Sequence, residues 1–304
     1  TEQATLWGDY LQKNQQDADA WLNYYTANRM LKIQAQTRTQ EDLDKIVMDM
    51  GKAIPNSFEY HYVSYWNPGN SEAEDNFHHL QKAYEIAPNR PETYDDFFTY
   101  YLLKGRQDKV MEIAEKWYKS NDISPGLYAW CYNMLMSCEE GAVLLTNGDN
   151  DTYPTLILQM ALGIRTDVKV MNVHLLMIEA YKEANFKSAG IEPFAYTLEE
   201  AKAYYPYLDS LYNHIVENGN RPVYLSLGTM KHFTELYQDK LHNVGMAWKW
   251  SEEKIDNIAM MKKNYERIFR LDYITNQFQN DLSQGVVDYA STNYLPSMLT
   301  LYNH

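Results

Sequence analysis

A chain of 304 residues with 45% apolar side chains is long enough for two cored domains, or for a helical array with an inserted domain. Its 41 acidic and 27 basic residues leave a net charge of −14, which argues against nucleic acid and anionic membrane surfaces as partners. No apolar run approaches the roughly 18 residues of a membrane helix. The first residue is Thr1 rather than Met, which fits a removed leader or a trimmed chain. Cys131 and Cys138 fall in one helical stretch. They would lie about 10 Å apart along its axis, too far to bridge, so they read as small buried apolar residues.

In chain order, Ala20-Trp21-Leu22-Asn23-Tyr24-Tyr25 starts a helix. Asn89-Arg90-Pro91-Glu92-Thr93-Tyr94 begins another that runs to 104 and ends at Gly105, and a partner helix spans about 107–119. Tyr94, Phe97, Phe98 and Tyr101 recur at helical spacing, as do Val110, Ile113, Ala114 and Trp117. Ala53-Ile54-Pro55-Asn56, Ile86-Ala87-Pro88-Asn89 and Ile123-Ser124-Pro125 punctuate the pairs. The proline spacings of 33 and 37 residues are close to the period of about 34 that marks tetratricopeptide repeats.

These residues resemble the tetratricopeptide family. Ala83-Tyr84-Glu85-Ile86-Ala87-Pro88-Asn89 matches the end of its second helix and the proline turn, and Tyr94, Tyr101 and Gly105 match its first helix. Leu127-Tyr128-Ala129-Trp130 starts a similar helix. The match is good over about 75–120, while 31–51 and 67–74 depart from a strict repeat. One helix pair cannot bury both its apolar faces, so neighbours stack. The 27 tyrosines then read as interhelix packing with the hydroxyl reaching water, or as an aromatic surface for a peptide or glycan.

The middle changes grammar. Residues 142–146 read as a buried strand and 152–162 as a helix stopped by Gly163, with Leu156, Ile157, Met160 and Ala161 on one side. Residues 167–172 alternate like a strand, completing a right-handed βαβ unit with parallel strands. A helix over 207–218, a strand over 221–227, a helix over 231–242 and a short edge strand over 245–250 follow. The tail returns to helix over 252–263, 264–270, 273–282 and from 292 onward. The fold class is mostly α with a small parallel, Rossmann-like α/β unit: helical repeats over 1–138, an α/β domain over 139–250 and C-terminal helices over 251–304.

Parallel strands would gather Asn147, Asp149, Asn150, Asp151 and Thr152 at their carboxyl ends with Asn172, His174, Ser226 and Thr229. That is where ligands bind in open α/β sheets. The Asp149-x-Asp151 pair has three readings. Hard carboxylate oxygens could hold Mg²⁺ or Mn²⁺ as nucleotide-sugar glycosyltransferases do. Asp149 could be a nucleophile of the haloacid dehalogenase kind, although Tyr153 stands where that signature wants Thr or Val. Or Asn147-Gly148 makes a turn, Asp151 caps the helix, and Thr152-Tyr153-Pro154 fill its first turn. The last is the simplest, so no catalytic residue and no cofactor is assigned, with a divalent cation at Asp149 and Asp151 as the open option. His78-His79 cannot aim both rings at one metal, and no zincin, phosphate-loop or dinucleotide motif is present. Arg165 and Asp167 read as an ion pair at a helix-to-strand turn, or as an anion anchor.

A second resemblance covers about 143–250. Asn147-Gly148-Asp149-Asn150-Asp151-Thr152-Tyr153-Pro154, Gly163-Ile164-Arg165-Thr166-Asp167-Val168 and Arg221-Pro222-Val223-Tyr224 look like the soluble C-terminal part of a family of large bacterial membrane proteins, domain of unknown function 2723. That family is related to a eukaryotic transmembrane protein O-mannosyltransferase. Members usually carry Phe where Tyr153 stands and often Pro where Thr166 stands. The resemblance implies an accessory module in a bacterial cell envelope, periplasmic or lipid-anchored, because the transferase chemistry is expected in a membrane portion absent from this chain. The expected function is therefore non-enzymatic, a scaffold whose repeats hold a protein or peptide. The alternative is a glycan- or nucleotide-sugar-binding enzyme or glycosyltransferase subunit, with a metal at Asp149 and Asp151 and His174 as acid or base.

Overall fold

The computed structural model describes residues 2–69, 76–276 and 284–304. The chain is mostly helical with one small mixed sheet of five strands. It divides into two compact units, Thr1–Tyr94 and Asp95–His304.

The first unit contains α1 (Glu2–Leu11), α2 (Ala18–Met30), α3 (Gln40–Ala53), α4 (Phe58–Trp66) and α5 (Phe77–Ile86). Short polar side chains start three of them by accepting otherwise orphaned amides. The Asp17 carboxylate accepts from Ala20 N, and Ser57 Oγ from Tyr60 N. Thr39 and Asp42 form a reciprocal capping box at α3. Helix α1 packs on α2, α4 on α5, and α2 touches both α3 and α4. Leu11, Trp21, Tyr25, Leu43, Ile46, Met50 and Val63 form the shared core. Within 31–51, where the repeat pattern weakens, α2 runs into a π turn at Leu31–Ala35 that Gln36 ends in the left-handed region, φ +53°. Of the irregular stretch 67–74, residues 70–74 lie outside the described residues.

The second unit opens with α6 (Tyr94–Leu103, whose first residue closes the first unit), α7 (Gln107–Ser120) and α8 (Pro125–Met136). The alternation then begins: β1 (Val143–Thr146), α9 (Asp149–Leu162), β2 (Lys169–Asn172), α10 (Glu179–Ala189), α11 (Leu198–Ala201), α12 (Tyr204–Asn218), β3 (Val223–Ser226), α13 (Lys231–Leu236), β4 (Leu241–Asn243) and β5 (Ala247–Trp250). Strand order is β2-β1-β3-β5-β4. The first three strands are parallel, and β5 and β4 add antiparallel. Gly163 ends α9 with φ +67°, a conformation that glycine adopts without a Cβ penalty.

On one face of the sheet, Val143, Leu145, Met171 and Leu225 pack against Tyr207, Leu208, Leu211 and Ile215 of α12 and Phe186 of α10. The other side is covered by α9, which rests on β2, α7 and α8. Last come α14 (Asn257–Arg267), α15 (Asp272–Thr275), α16 (Gln284–Ser291) and α17 (Tyr294–Asn303).

Three sequence expectations change. The helix read over 231–242 stops at Leu236, and Leu241–Asn243 pairs as β4, so the 245–250 strand is internal and β4 holds the edge. The helix read from 252 begins at Asn257, where the Asp256 carboxylate accepts Ala259 N, and it runs on to Arg267. The helix read over 273–282 is a single turn at Asp272–Thr275, and its last six positions lie outside the described residues.

Candidate functional site

Strand register sets Thr146 beside Asn172, and Leu145 beside Leu225, at the carboxyl ends of adjacent parallel strands. Ser226 closes β3 there. Helix α9 starts directly above, three positions earlier than expected: Gly148 is its N-cap, and Asp149, Asn150 and Asp151 form its first turn. Asp151 is thus the third helical residue reaching back, not the cap. Its Oδ1 accepts Gly148 N at 2.7 Å, its Oδ2 accepts Asn147 N at 3.0 Å, and the Ser226 hydroxyl also donates to Oδ2.

The carboxylate is 4% exposed. Burial pushes its pKa above the ordinary value, against the pull of Ser226 and the two amides. Next to it, Thr152 Oγ1 meets Thr146 Oγ1 at 2.7 Å and accepts Asn172 Nδ2 at 2.9 Å. Asn172 Oδ1 in turn accepts the amides of His174 and Leu175 at 2.9 and 3.1 Å. Gly228 packs close by: a Cβ there would stand 3.4 Å from Asp151 Oδ2.

The structure therefore brings together Asn147, Asp151, Thr152, Asn172 and Ser226, and sets the others apart. Asp149 and Asn150 are exposed. Two positions along a helix is roughly 200° around it, so Asp149 and Asp151 face different ways. His174 is exposed, its Nδ1 2.5 Å from Tyr204 OH. Thr229 Oγ1 lies 3.4 Å from Tyr212 OH. Asn147 Oδ1 is buried with no hydrogen-bond partner among the described residues.

Pro154 is the sixth residue of α9, inside the helix rather than in its first turn. Its missing amide would have bonded to Asn150 O. That carbonyl accepts the Cys131 thiol of α8 instead, at 3.3 Å. Burial pushes the Cys131 thiol far up. No local pattern signals this contact, nor the role of Thr146, because both partners arrive through tertiary packing.

Asp95, in the first turn of α6, is a further group the sequence did not single out. Burial raises its pKa to about 6, with Asp122 and Asp149 adding to the rise against the lowering by the Asp96 and Asp95 amides. Arg165 and Asp167 do form the ion pair, a two-pronged contact at 2.9 Å for each prong. Arg165 also donates to the carbonyls of Leu135, Cys138 and Glu139, and Asp167 accepts Gly141 N. These bonds hold the Asp167 carboxyl well below its usual range, Arg165 contributing most. A cavity of about 770 Å³ opens beside them, lined also by Glu140, Met260 and Lys263, where the chain enters β1 and β2 rather than at the carboxyl ends.

Residues 127–235 match the family model of TMEM260-associated domain 2. The match takes in a little over a third of the chain, from α8 through α13. It supports the link to the family of the TMEM260-related mannosyltransferase. Neither a curated protein nor a solved structure matches the chain. The matched segment holds all three parallel strands and every polar group of the Asp151 network, while the β4–β5 hairpin and the last helices lie beyond it.

Proposed function

We propose that this chain is a non-enzymatic binding or scaffold protein of a bacterial cell envelope, related to the accessory part of a TMEM260-type glycosylation system. One observation carries the reading. Asp151, Thr152, Asn172 and Ser226 spend their hydrogen-bonding capacity on one another and on the loop amides, while Asp149 points elsewhere. A general acid, base or metal ligand needs a lone pair or proton aimed at a substrate. In this reading the Asn147–Pro154 loop fastens α9 to the sheet and needs no cofactor, and tetratricopeptide-like helix pairs do the binding.

A groove of about 490 Å³ among α1, α2 and α3 suits a protein or peptide segment. Trp21 and Tyr24 line it, together with charges of both signs from Arg38, Asp42, Lys45 and Asp49.

A second reading, a glycan- or nucleotide-sugar-binding subunit, is favoured by the buried, unpartnered Asn147 Oδ1, an acceptor that a ligand hydroxyl would satisfy. Calorimetric titration of Mg²⁺, Mn²⁺ and nucleotide sugars separates the two. The scaffold reading expects no binding that depends on Asp149 or Asp151. Micromolar binding abolished by Asp149→Ala and Asp151→Ala overturns it.

A further inference from the structure

His78-His79 cannot serve one metal from a single helix, but the fold supplies a different pairing. His61 of α4 and His79 of α5 meet across the hairpin with their Nδ1 atoms 2.8 Å apart. One imidazole donates its proton and the other must present a bare lone pair. The rings lie 5.1 Å apart at 41°. Tyr60 flanks both, at 5.1 Å from His61 and 5.8 Å from His79. His78 lies against His79 at 4.2 Å without sharing the Nδ1 contact. Both rings are partly buried, on helices packed along their length.

We propose that His61 and His79 form a two-imidazole site for a borderline transition-metal ion, Zn²⁺ or Cu²⁺, in which the metal takes the place of the hydrogen bond between the two Nδ1 atoms. Tetrahedral zinc with Zn–N bonds of about 2.0–2.1 Å sets two ligand nitrogens about 3.3–3.4 Å apart. The pair has to open by only about 0.6 Å, within the reach of small side-chain rotations. The proton on the donating Nδ1 passes to the same ring's Nε2, so both rings bind the ion as neutral imidazoles. Among the described residues no group of three or more His, Cys, Asp or Glu side chains is placed to hold a metal. The two imidazoles supply two of the four positions that tetrahedral zinc takes. Imidazole donors and the Irving–Williams order make Cu²⁺ bind tighter than Zn²⁺. The site lies in the first unit, whereas Asp149 and Asp151 belong to the second, so it stands or falls independently of the scaffold reading.

The test uses the full chain with Cu²⁺ or Zn²⁺ as the sole probe. With one equivalent of Cu²⁺, paramagnetic resonance is expected to show hyperfine splitting from two imidazole nitrogens. His61→Gln and His79→Gln are each expected to weaken Zn²⁺ binding by about tenfold or more, whereas His78→Gln leaves it within about twofold. Glutamine keeps an amide that can bond the remaining ring, so circular dichroism should be unchanged in the variants. A copper spectrum with one imidazole nitrogen or none overturns the proposal without any variant. Unchanged zinc affinity in the His61→Gln/His79→Gln protein overturns it as well, leaving the pair as a plain hydrogen bond between helices.

Discussion

Asp151 shows how a residue that reads as chemistry is used for architecture. A buried carboxylate is tolerated only when its lone pairs are filled, and here two amides and the Ser226 hydroxyl fill them. Asp151→Ala leaves those donors facing an apolar side chain and removes the cap-like contact. Urea unfolding should show a loss of about 2–4 kcal/mol, with Ser226→Ala losing about 1 kcal/mol. Asp95 is raised by burial as well. Its folded pKa, about 6, stands above the ordinary 3.8, so its contribution to stability is full below about 4 and is lost as pH rises through 6. Asp95→Asn should therefore match the parent near pH 4 and exceed it by on the order of 1 kcal/mol at pH 8, read as the pH dependence of the melting temperature difference. The position of the Asp149–Asp151 loop at the end of a strand was legible from sequence. Its saturation was not, because Ser226 lies 75 residues away and only the parallel β1–β3 register brings it near.

Elements tell the same story at longer range. The βαβ grammar of 142–172 was readable because strand, helix and glycine stop each obey a local rule. The β4–β5 hairpin was not: Lys231–Leu236 favours helix, and nothing local ends it before Leu241 pairs with Trp250. Tertiary pairing overrides propensity there. The hairpin turn depends on Gly245, which has φ +122° and whose added Cβ would stand 2.7 Å from the Phe269 ring. Gly245→Ala should cost about 2 kcal/mol or more in denaturant unfolding, from backbone strain and the displaced ring together. Helix α9 offers a finer test. Since Cys131 serves the carbonyl that Pro154 leaves unpaired, Cys131→Ala should cost less in a Pro154→Ala background, where an amide returns to that carbonyl. A double-mutant cycle should give a coupling of about 0.5 kcal/mol, and additive effects would show that the thiol contact is incidental.

At the scale of the whole molecule, charge is the property that sequence alone makes plain, and it has a measurable consequence. The chain carries −14 at pH 7, while its isoelectric point is near 5.0. Most salt bridges join exposed side chains, many of them three or four positions apart on one helix, and such pairs each contribute only a few tenths of a kcal/mol. They cannot offset the surplus repulsion among 41 acidic groups. At pH 7 that repulsion favours the expanded chain, and salt screens it within a Debye length of about 8 Å at 0.15 M. Raising NaCl from 10 to 300 mM, roughly a fivefold shortening of that length, should lift the melting temperature by a few degrees at pH 7, on the order of 1 kcal/mol. Near pH 5 the net charge vanishes and only the local pairs remain, so the same salt should leave the melting temperature flat or lower it slightly. A salt response of equal size at both pH values would mean that specific ion binding, rather than net charge, sets the effect.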